Sequence, residues 1–162
     1  GAKLLYPDDT IQHAGLGFGF LTLAAHMHKN FQVSNPGYMG RLIYAHDVYG
    51  VTGACLMIRR ELYQQVGGLD ESFAVAFNDV DFCVRVRNAG YQNVFTPFAM
   101  LYHYESKSRG LDESPEKRAR FVSEVKRFQA RWKKELAAGD PCLNPNFDLD
   151  RDDFRIKLQP LE

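Results

Sequence analysis

The chain has 162 residues, enough for one domain that buries roughly 70% of the surface its extended form would expose. Its 20 basic and 20 acidic residues give a formal net charge of zero, so no overall field draws the chain to nucleic acid or to an anionic membrane. The three cysteines, at positions 55, 83 and 142, lie in unrelated contexts. They argue against a disulfide framework or a thiolate metal cluster and favour a reducing, cytoplasmic compartment. We find no signal peptide and no apolar run of transmembrane length.

The first fifty residues divide into a predicted hairpin and a long glycine-rich segment. Residues 3–6 and 10–12 are strand candidates, and the Pro-Asp-Asp sequence between them supplies turn chemistry. Residues 13–50 are rich in glycine, aromatic residues and histidine, with little helical periodicity. A segment of this length suggests a functional loop or an insertion over a site.

The middle of the chain carries the clearest predicted elements. Residues 51–58 are mostly apolar, and such a run predicts a strand buried on both faces. A short helix over 59–66 is predicted to end at Gly67 and Gly68, because glycine adopts the left-handed conformation that helix ends favour. Asn78 is a good N-cap, and the apolar spacing after it predicts a second helix over 79–89.

The last part of the chain predicts two strands, a long helix and a tail. The strands are residues 93–97 and 100–104. The Ser-Pro pair at 114–115 and an apolar stripe after it predict a long packing helix over 113–139. Residues 142–162 are predicted to be extended on the surface, with the final residues expected to be a cloning remnant. We therefore predict one α/β domain over 1–162, with a mixed sheet built from strands near residues 3, 51, 93 and 101 and flanked by helices near 60, 79 and 115.

Two carboxylates, Asp79 and Asp81, lie in the first turn of the predicted second helix. Acidic residues there commonly do no more than satisfy free backbone N–H groups and the positive end of the helix dipole. The apolar residues 73–77 place this helix start beside buried strands, where an acid is normally avoided. Side chains two positions apart on a helix point about 200° away from each other, so only one of the two can face a shared site.

A histidine and a small basic loop form a second candidate group. His103 is followed by Lys107, Ser108 and Arg109; an imidazole, a hydroxyl and two cations suit a metal-bound diphosphate. A lone histidine is more often a packing residue. The pair His26 and His28 could place two imidazoles on one strand face, but no third zinc ligand is recognisable nearby.

Several motifs, in this order and spacing, resemble the second half of the GT-A-fold, family-2 glycosyltransferases of the bacterial cell-surface polysaccharide type. The motifs are residues 3–8 (KLLYPD), 11–15 (IQHAG), 51–60 (VTGACLMIRR), 67–71 (GGLDE), 78–85 (NDVDFCVR), 90–91 (GY), Pro97 and 103–106 (HYES). The resemblance covers most of residues 3–109. It implies a partial GT-A domain: the acceptor and catalytic-base half of a glycosyltransferase, which transfers a sugar from a nucleotide-diphosphate donor to an acceptor hydroxyl with inversion.

The resemblance also implies residue roles. Asp79 matches the family's general base, His103 matches a ligand of Mn²⁺ or Mg²⁺, and the loop residues Lys107, Ser108 and Arg109 match positions near the diphosphate. The implied acceptor-binding residues are Gly53, Ala54, Asp70, Glu71 and Asn78. The implied partners are a nucleotide-sugar donor and a glycan or lipid-linked saccharide acceptor, with the complete enzyme in the cytoplasm, peripheral at the inner face of the membrane.

Two departures from the family limit what this chain is expected to do alone. Asn78 stands where many relatives have glutamate, which changes the hydrogen bonding around the base. The nucleotide-binding first half, with its metal-binding D-x-D motif, is not found, so we expect these residues to lack transfer activity by themselves. One alternative is a non-catalytic carbohydrate-binding or scaffold module. Another is a metal-dependent hydrolase that uses His26, His28 and His103.

Overall fold

A four-stranded mixed sheet organises the structure, a computed structural model that describes residues 1–19, 23–104, 114–151 and 154–158. The described strands are β1 (Ala2–Leu5), β2 (Ile11–His13), β3 (Leu16–Phe18), β4 (Ala24–His26), β5 (His46–Val48) and β6 (Asn93–Tyr102). The sheet order is β2-β1-β6-β5, in which β1 and β6 are parallel and the other two pairs are antiparallel. Strands β3 and β4 form a separate antiparallel pair. A mixed sheet with helices beside it confirms the predicted α/β class.

The predicted hairpin at the start of the chain is confirmed. Strands β1 and β2 pair antiparallel, and the Tyr6 N–H donates to the Thr10 carbonyl at 2.8 Å. The Asp8 carboxylate accepts from both the N–H and the hydroxyl of Thr10. The Pro-Asp-Asp sequence therefore forms its turn through the local side-chain bonds that favour aspartate at such positions.

The predicted buried strand over 51–58 is wrong. Only Val51 and Thr52 are buried there, and Gly53–Cys55 forms a single 3₁₀ turn. The Thr52 hydroxyl accepts from the Ala54 N–H at 3.3 Å, which closes this turn in place of a sheet ladder. Met57 is 95% exposed, so the apolar run is not a core element along its whole length.

The two strands predicted over 93–97 and 100–104 are one strand, β6, of ten residues. Pro97 lies inside it, where proline removes a ladder hydrogen bond. The pairing with β1 passes from Ala2↔Thr96 to Lys3↔Met100, an irregularity that leaves residues 97–99 out of register. This bulge lets the strand continue past the proline.

Both predicted short helices are present, as α1 (Arg60–Gln65) and α2 (Asn78–Asn88). Helix α1 ends at the predicted glycine pair, where Gly67 and Gly68 have φ of 82° and 66°. Asn78 is not the N-cap of α2, contrary to the prediction. That position is held by Phe77, in the left-handed region at φ 64°.

The long helix predicted over 113–139 is two helices, α3 (Pro115–Arg131) and α4 (Lys133–Ala138). The Ser114 hydroxyl caps α3 by accepting from the Lys117 N–H, as the Ser-Pro signal predicted. Trp132 interrupts the helix with φ −107° and ψ 27°, and its indole N–H donates to the Asp81 carboxylate at 2.9 Å. The residue that separates α3 from α4 thus also contacts α2, through the Asp81 side chain.

The tail departs from the extended surface course that was predicted. Leu143, Phe147 and Phe154 are buried and join the main apolar cluster with side chains from β1, β2, β5 and β6. Residues 141–151 form turns, and the described pairing there is a bridge between Phe147 and Ile156. Three large apolar side chains gain more from burial than from lying in water, so the tail folds inward.

No helix in the described ranges is long and apolar enough to cross a membrane.

Candidate active site

Asp79 lies in the first turn of α2 and is partly buried. Its Oδ2 accepts a hydrogen bond from the Gly53 N–H at 2.8 Å, across 26 positions of sequence. Its Oδ1 accepts from the Val80 N–H at 2.8 Å, and the Asn78 side-chain oxygen accepts from the Asp79 N–H at 2.7 Å. The carboxylate is therefore oriented from two sides, by its own helix start and by the 3₁₀ turn after Thr52.

The predicted acceptor floor, Gly53 and Ala54, lies directly beside this carboxylate, and both residues are exposed. A Cβ added to Gly53 would lie 3.4 Å from the Asp79 Cβ and 3.8 Å from its Oδ2. These are ordinary van der Waals separations. Gly53 and Ala54 carry no large side chain, so this exposed turn does not cover the Asp79 carboxylate with a bulky group.

Asp81 has a different environment from Asp79, as the helical spacing predicted. It is fully buried at 0% exposure. Arg85 donates to its Oδ2, and Arg131 and the Trp132 indole donate to its Oδ1, each at 2.9 Å. All of these partners belong to α2 or to the end of α3, so Asp81 joins the two helices and Asp79 alone is available to a ligand.

The loop that leads to Asp79 contains the predicted residues Asp70 and Glu71. Asp70 accepts from the Ser72 N–H at 2.8 Å and pairs with Arg131 at 2.6 Å. The hydrogen bonds from Ser72 and Arg131 lower the pKa of the Asp70 carboxyl. Glu71 is exposed. Asp70 therefore shapes the loop through both carboxylate oxygens, and Glu71 is the member of the pair that faces solvent.

His13 is a buried residue that the sequence reasoning missed. Its Nε2 accepts from the N–H groups of Gly15 and Thr52, both at 3.3 Å, so the residue next to Gly53 is tied to β2. Its Nδ1 lies 3.0 Å from Nδ1 of His26. Burial, with a smaller effect of His26, lowers the pKa of His13 well below its usual value. The neutral ring thus accepts at Nε2 and donates from Nδ1 to His26.

His103 follows β6 and is held by Gln12 of β2. Both ends of the Gln12 amide lie within hydrogen-bond distance of the His103 Nδ1, with Nε2 at 2.8 Å and Oε1 at 3.0 Å. A metal-binding histidine is commonly fixed this way, with one ring nitrogen held by a protein group and the other bound to the metal. His103 therefore fits a metal ligand that binds through Nε2. Across the described ranges, no group of three or more His, Cys, Asp or Glu side chains is arranged so that it could hold a metal ion.

Lys107, Ser108 and Arg109, predicted to lie near the diphosphate, fall outside the described residues. The contacts that are described connect His103 and the Gly53 turn to one strand. Gln12 holds His103, and the next residue, His13, holds Thr52. Strand β2 thus supports both the predicted metal ligand and the turn that contacts Asp79.

The imidazole pair proposed for a zinc hydrolase does not form a shared ligand face. His26 lies against His13, whereas His28 follows the end of β4 with φ 57° and accepts from the Tyr38 N–H through Nε2 at 3.2 Å. The His28 ring packs against Phe154, with ring centroids 4.6 Å apart. His28 therefore belongs to the apolar core.

Helix α3 contributes the other group that the sequence reasoning missed. Glu124 is buried at 3% exposure, and its two carboxylate oxygens accept from the N–H groups of Ala74 and Ala76 at 3.1 and 2.7 Å. The signal was present in the sequence, because Glu124 is an acidic residue within the apolar stripe of this helix. A charged side chain on a packing face indicates a specific polar partner.

In a comparison with known proteins, residues 19–137 match the family profile described as Glycosyl transferase family group 2. Uncharacterized protein y4gI of Sinorhizobium fredii (strain NBRC 101917 / NGR234) is 52% identical over 155 residues, 95% of this chain and 17% of that protein. The O-antigen biosynthesis protein RfbC of Myxococcus xanthus is 33% identical over 164 residues, 99% of this chain and 12% of that protein.

A third relative matches a shorter stretch. The N-acetylglucosaminyl-diphospho-decaprenol L-rhamnosyltransferase of Mycobacterium tuberculosis (strain ATCC 25618 / H37Rv) is 39% identical over 62 residues, 38% of this chain and 20% of that protein. The chain thus spans 12% to 20% of the length of these relatives. No solved structure matches it significantly.

Proposed function

Because the chain belongs to glycosyl transferase family group 2, we propose that it supplies the acceptor-binding and catalytic-base half of an inverting glycosyltransferase. The observation that carries this proposal is the position of Asp79. A partly buried carboxylate, in the first turn of α2, contacts an exposed turn of small residues through the Gly53 N–H. The mixed α/β architecture is consistent with a partial GT-A domain.

Asp79 acts as the general base. An aspartate carboxylate is an acceptor at neutral pH, and a base must lie within hydrogen-bond distance of the proton that it removes. The acceptor hydroxyl binds over Gly53 and Ala54, and Asp79 takes its proton as the oxygen attacks the anomeric carbon. The bond from that carbon to the nucleoside diphosphate breaks on the opposite face, so the configuration inverts.

Charge on the departing diphosphate needs cationic partners. His103, oriented by Gln12, would hold Mn²⁺ or Mg²⁺ through Nε2, and that ion would offset the negative charge when bound. Lys107, Ser108 and Arg109 follow closely in sequence and would approach the same phosphates. Asp81 takes no part in the chemistry, because its carboxylate is already paired with two arginines and an indole.

We propose that the donor is a nucleoside diphosphate hexose or deoxyhexose and that the acceptor is a glycan or lipid-linked saccharide. The names of two relatives support this choice, since one is an O-antigen biosynthesis protein and the other an L-rhamnosyltransferase that acts on a lipid diphosphate saccharide. We propose that the full-length protein acts in the cytoplasm, peripheral to the membrane, where a nucleotide sugar and a lipid-linked acceptor could both reach it. The donor-binding half would be supplied by other parts of that protein.

The test is transfer by the full-length protein with a panel of nucleoside diphosphate hexoses and deoxyhexoses, with Mn²⁺ or Mg²⁺, measured as release of nucleoside diphosphate. Acceptors include polyprenyl-diphosphate-linked N-acetylglucosamine. Asp79→Asn should lower kcat by about 10²- to 10⁴-fold, the range typical of general-base removal. Asp150→Asn makes the same chemical change at an exposed position of the tail and should leave kcat unchanged.

Two outcomes would contradict the proposal. Unchanged transfer by Asp79→Asn would exclude the base and favour the scaffold alternative. Turnover by the isolated 162-residue chain at the rate of the full-length protein would show that the donor-binding half is not needed from elsewhere.

A further inference from the structure

Helix α3 holds the loop that precedes Asp79 along most of its length. Arg131 pairs with Asp70 at the beginning of the loop, and Arg127 donates to the Ser72 carbonyl. Glu124 accepts from the N–H groups of Ala74 and Ala76 farther along. These contacts follow one face of α3 from its C-terminal end toward its middle, so the helix and the loop run side by side.

Glu124 is the most specific of these contacts. Its side chain is buried, and each oxygen accepts from a different backbone N–H, at 3.1 Å and 2.7 Å. Arg120 of the same helix lies at a longer distance, with its Nε 3.9 Å from Oε1. A buried carboxylate that accepts two backbone hydrogen bonds fixes the path of the main chain, because moving the loop would leave the charge unsatisfied.

The loop ends at a strained residue, Phe77, two positions before Asp79. Phe77 adopts φ 64° and ψ 4°, a conformation that bulky side chains rarely adopt. Its carbonyl accepts the first α2 hydrogen bond, from the Asp81 N–H at 2.8 Å, so its conformation sets the direction in which α2 begins. Such a residue persists only where its surroundings hold it.

Helix α3 supplies those surroundings. The Phe77 ring stacks on Phe128 and Phe121, with centroid distances of 4.8 Å and 6.0 Å. Glu124 binds the N–H of Ala76, the residue immediately before Phe77. One side chain of α3 therefore anchors the backbone at this turn while two others hold the ring.

We propose that Glu124 is a positioning residue for sugar transfer: by anchoring the turn at Ala76 and Phe77, it aims the first turn of α2 so that the Asp79 carboxylate meets the Gly53 amide and the acceptor. This inference rests on the proposed function of Asp79. Glu124 does not touch the reacting atoms. It acts through the backbone of the loop and through the start of α2.

The structural test uses amide hydrogen exchange by NMR on the 162-residue chain with Glu124→Ala. The Gly53 N–H is the reporter, because it donates to Asp79 and belongs to a segment that Glu124 does not contact in the described hydrogen bonds. We expect faster exchange at Gly53. The neighbouring Thr52 N–H, which donates to His13, should keep its protection, since that bond does not depend on Asp79.

The kinetic test uses the full-length protein and the nucleoside diphosphate release assay. Glu124→Ala should lower kcat by about tenfold to a hundredfold, as expected for a displaced catalytic group, with the donor KM unchanged within about twofold. Glu124→Gln keeps one carbonyl acceptor and should fall between Glu124→Ala and the wild type. Glu116→Gln removes the same charge from an exposed position of α3 and should match the wild type.

The outcomes separate this inference from the proposed function. If Asp79→Asn abolishes transfer while folded Glu124→Ala keeps wild-type kcat and wild-type Gly53 exchange, only the role of Glu124 is overturned. If Asp79→Asn keeps full activity, the proposed function fails whatever the exchange data show. Should Glu124→Ala not fold, Glu124→Gln decides, and wild-type behaviour in both measurements overturns the inference.

Discussion

Asp79 and Asp81 show how far two carboxylates on one helix turn can differ. Sequence reasoning established that only one of them can face a shared site, but residue type and spacing could not say which. The structure distinguishes them by their partners. Asp81 has three side-chain donors and no exposure, whereas Asp79 has backbone partners and partial exposure. The first arrangement serves stability, and the second leaves a carboxylate that a ligand can reach.

This difference predicts that alanine at position 81 costs more stability than alanine at position 79. Asp81→Ala should lower the free energy of unfolding by about 3 kcal/mol, because Arg85, Arg131 and the Trp132 indole lose their shared acceptor. Asp79→Ala removes backbone hydrogen bonds at a helix start, which costs about 1 kcal/mol. Urea unfolding followed by circular dichroism measures both. Equal losses in the two variants would contradict the assigned roles.

At the scale of elements, the helices followed from local signals that the structure retains. The glycine pair ends α1, the Ser-Pro pair begins α3, and helical spacing located α2. The strand predicted over 51–58 was wrong because apolar content does not show whether a partner strand is available. Here the Thr52 side chain closes a turn instead. Phe77 at the N-cap was not predictable, because its left-handed conformation is held by α3, which lies some forty residues farther along the chain.

The turn after α1 offers a matched pair of glycines for a stability test. Both have positive φ, which costs an alanine about 1 kcal/mol. A Cβ on Gly67 would meet nothing within 4 Å, whereas a Cβ on Gly68 would lie 3.0 Å from the Tyr63 hydroxyl and ring. That hydroxyl accepts from the Leu69 N–H at 3.2 Å, so moving the ring breaks a contact at the start of the loop.

We therefore expect Gly67→Ala to lower the free energy of unfolding by about 1 kcal/mol and Gly68→Ala by about 2 kcal/mol or more, because crowding adds to strain. Thermal or urea unfolding of the two variants provides the comparison. Equal values would mean that Tyr63 moves aside freely and that the φ alone sets the requirement for glycine.

For the whole molecule, the folded tail and the glycine-rich segment close the core together. Phe154 stacks on Tyr38, with ring centroids 5.1 Å apart, and lies against His28. His28 is buried at 1% exposure. The sequence could not reveal this contact, because it joins segments more than a hundred positions apart and depends on where the tail turns. A titratable ring at such a junction makes the stability of the fold depend on pH.

Burial, assisted by nearby Arg41, lowers the pKa of His28 from 6.5 to about 4. Between these values the unfolded chain binds a proton that the folded chain does not, so stability is full above pH 6.5 and falls as the pH drops toward 4. We expect a loss of about 2 kcal/mol in the free energy of unfolding from pH 7 to pH 5 from this residue alone.

His28→Asn tolerates the positive φ of this position but does not titrate, so its urea midpoint should change less with pH than that of the wild type. The slope that remains would report His13 and His46, whose pKa values burial also lowers, and an identical slope in variant and wild type would show that His28 accepts its proton without leaving the core.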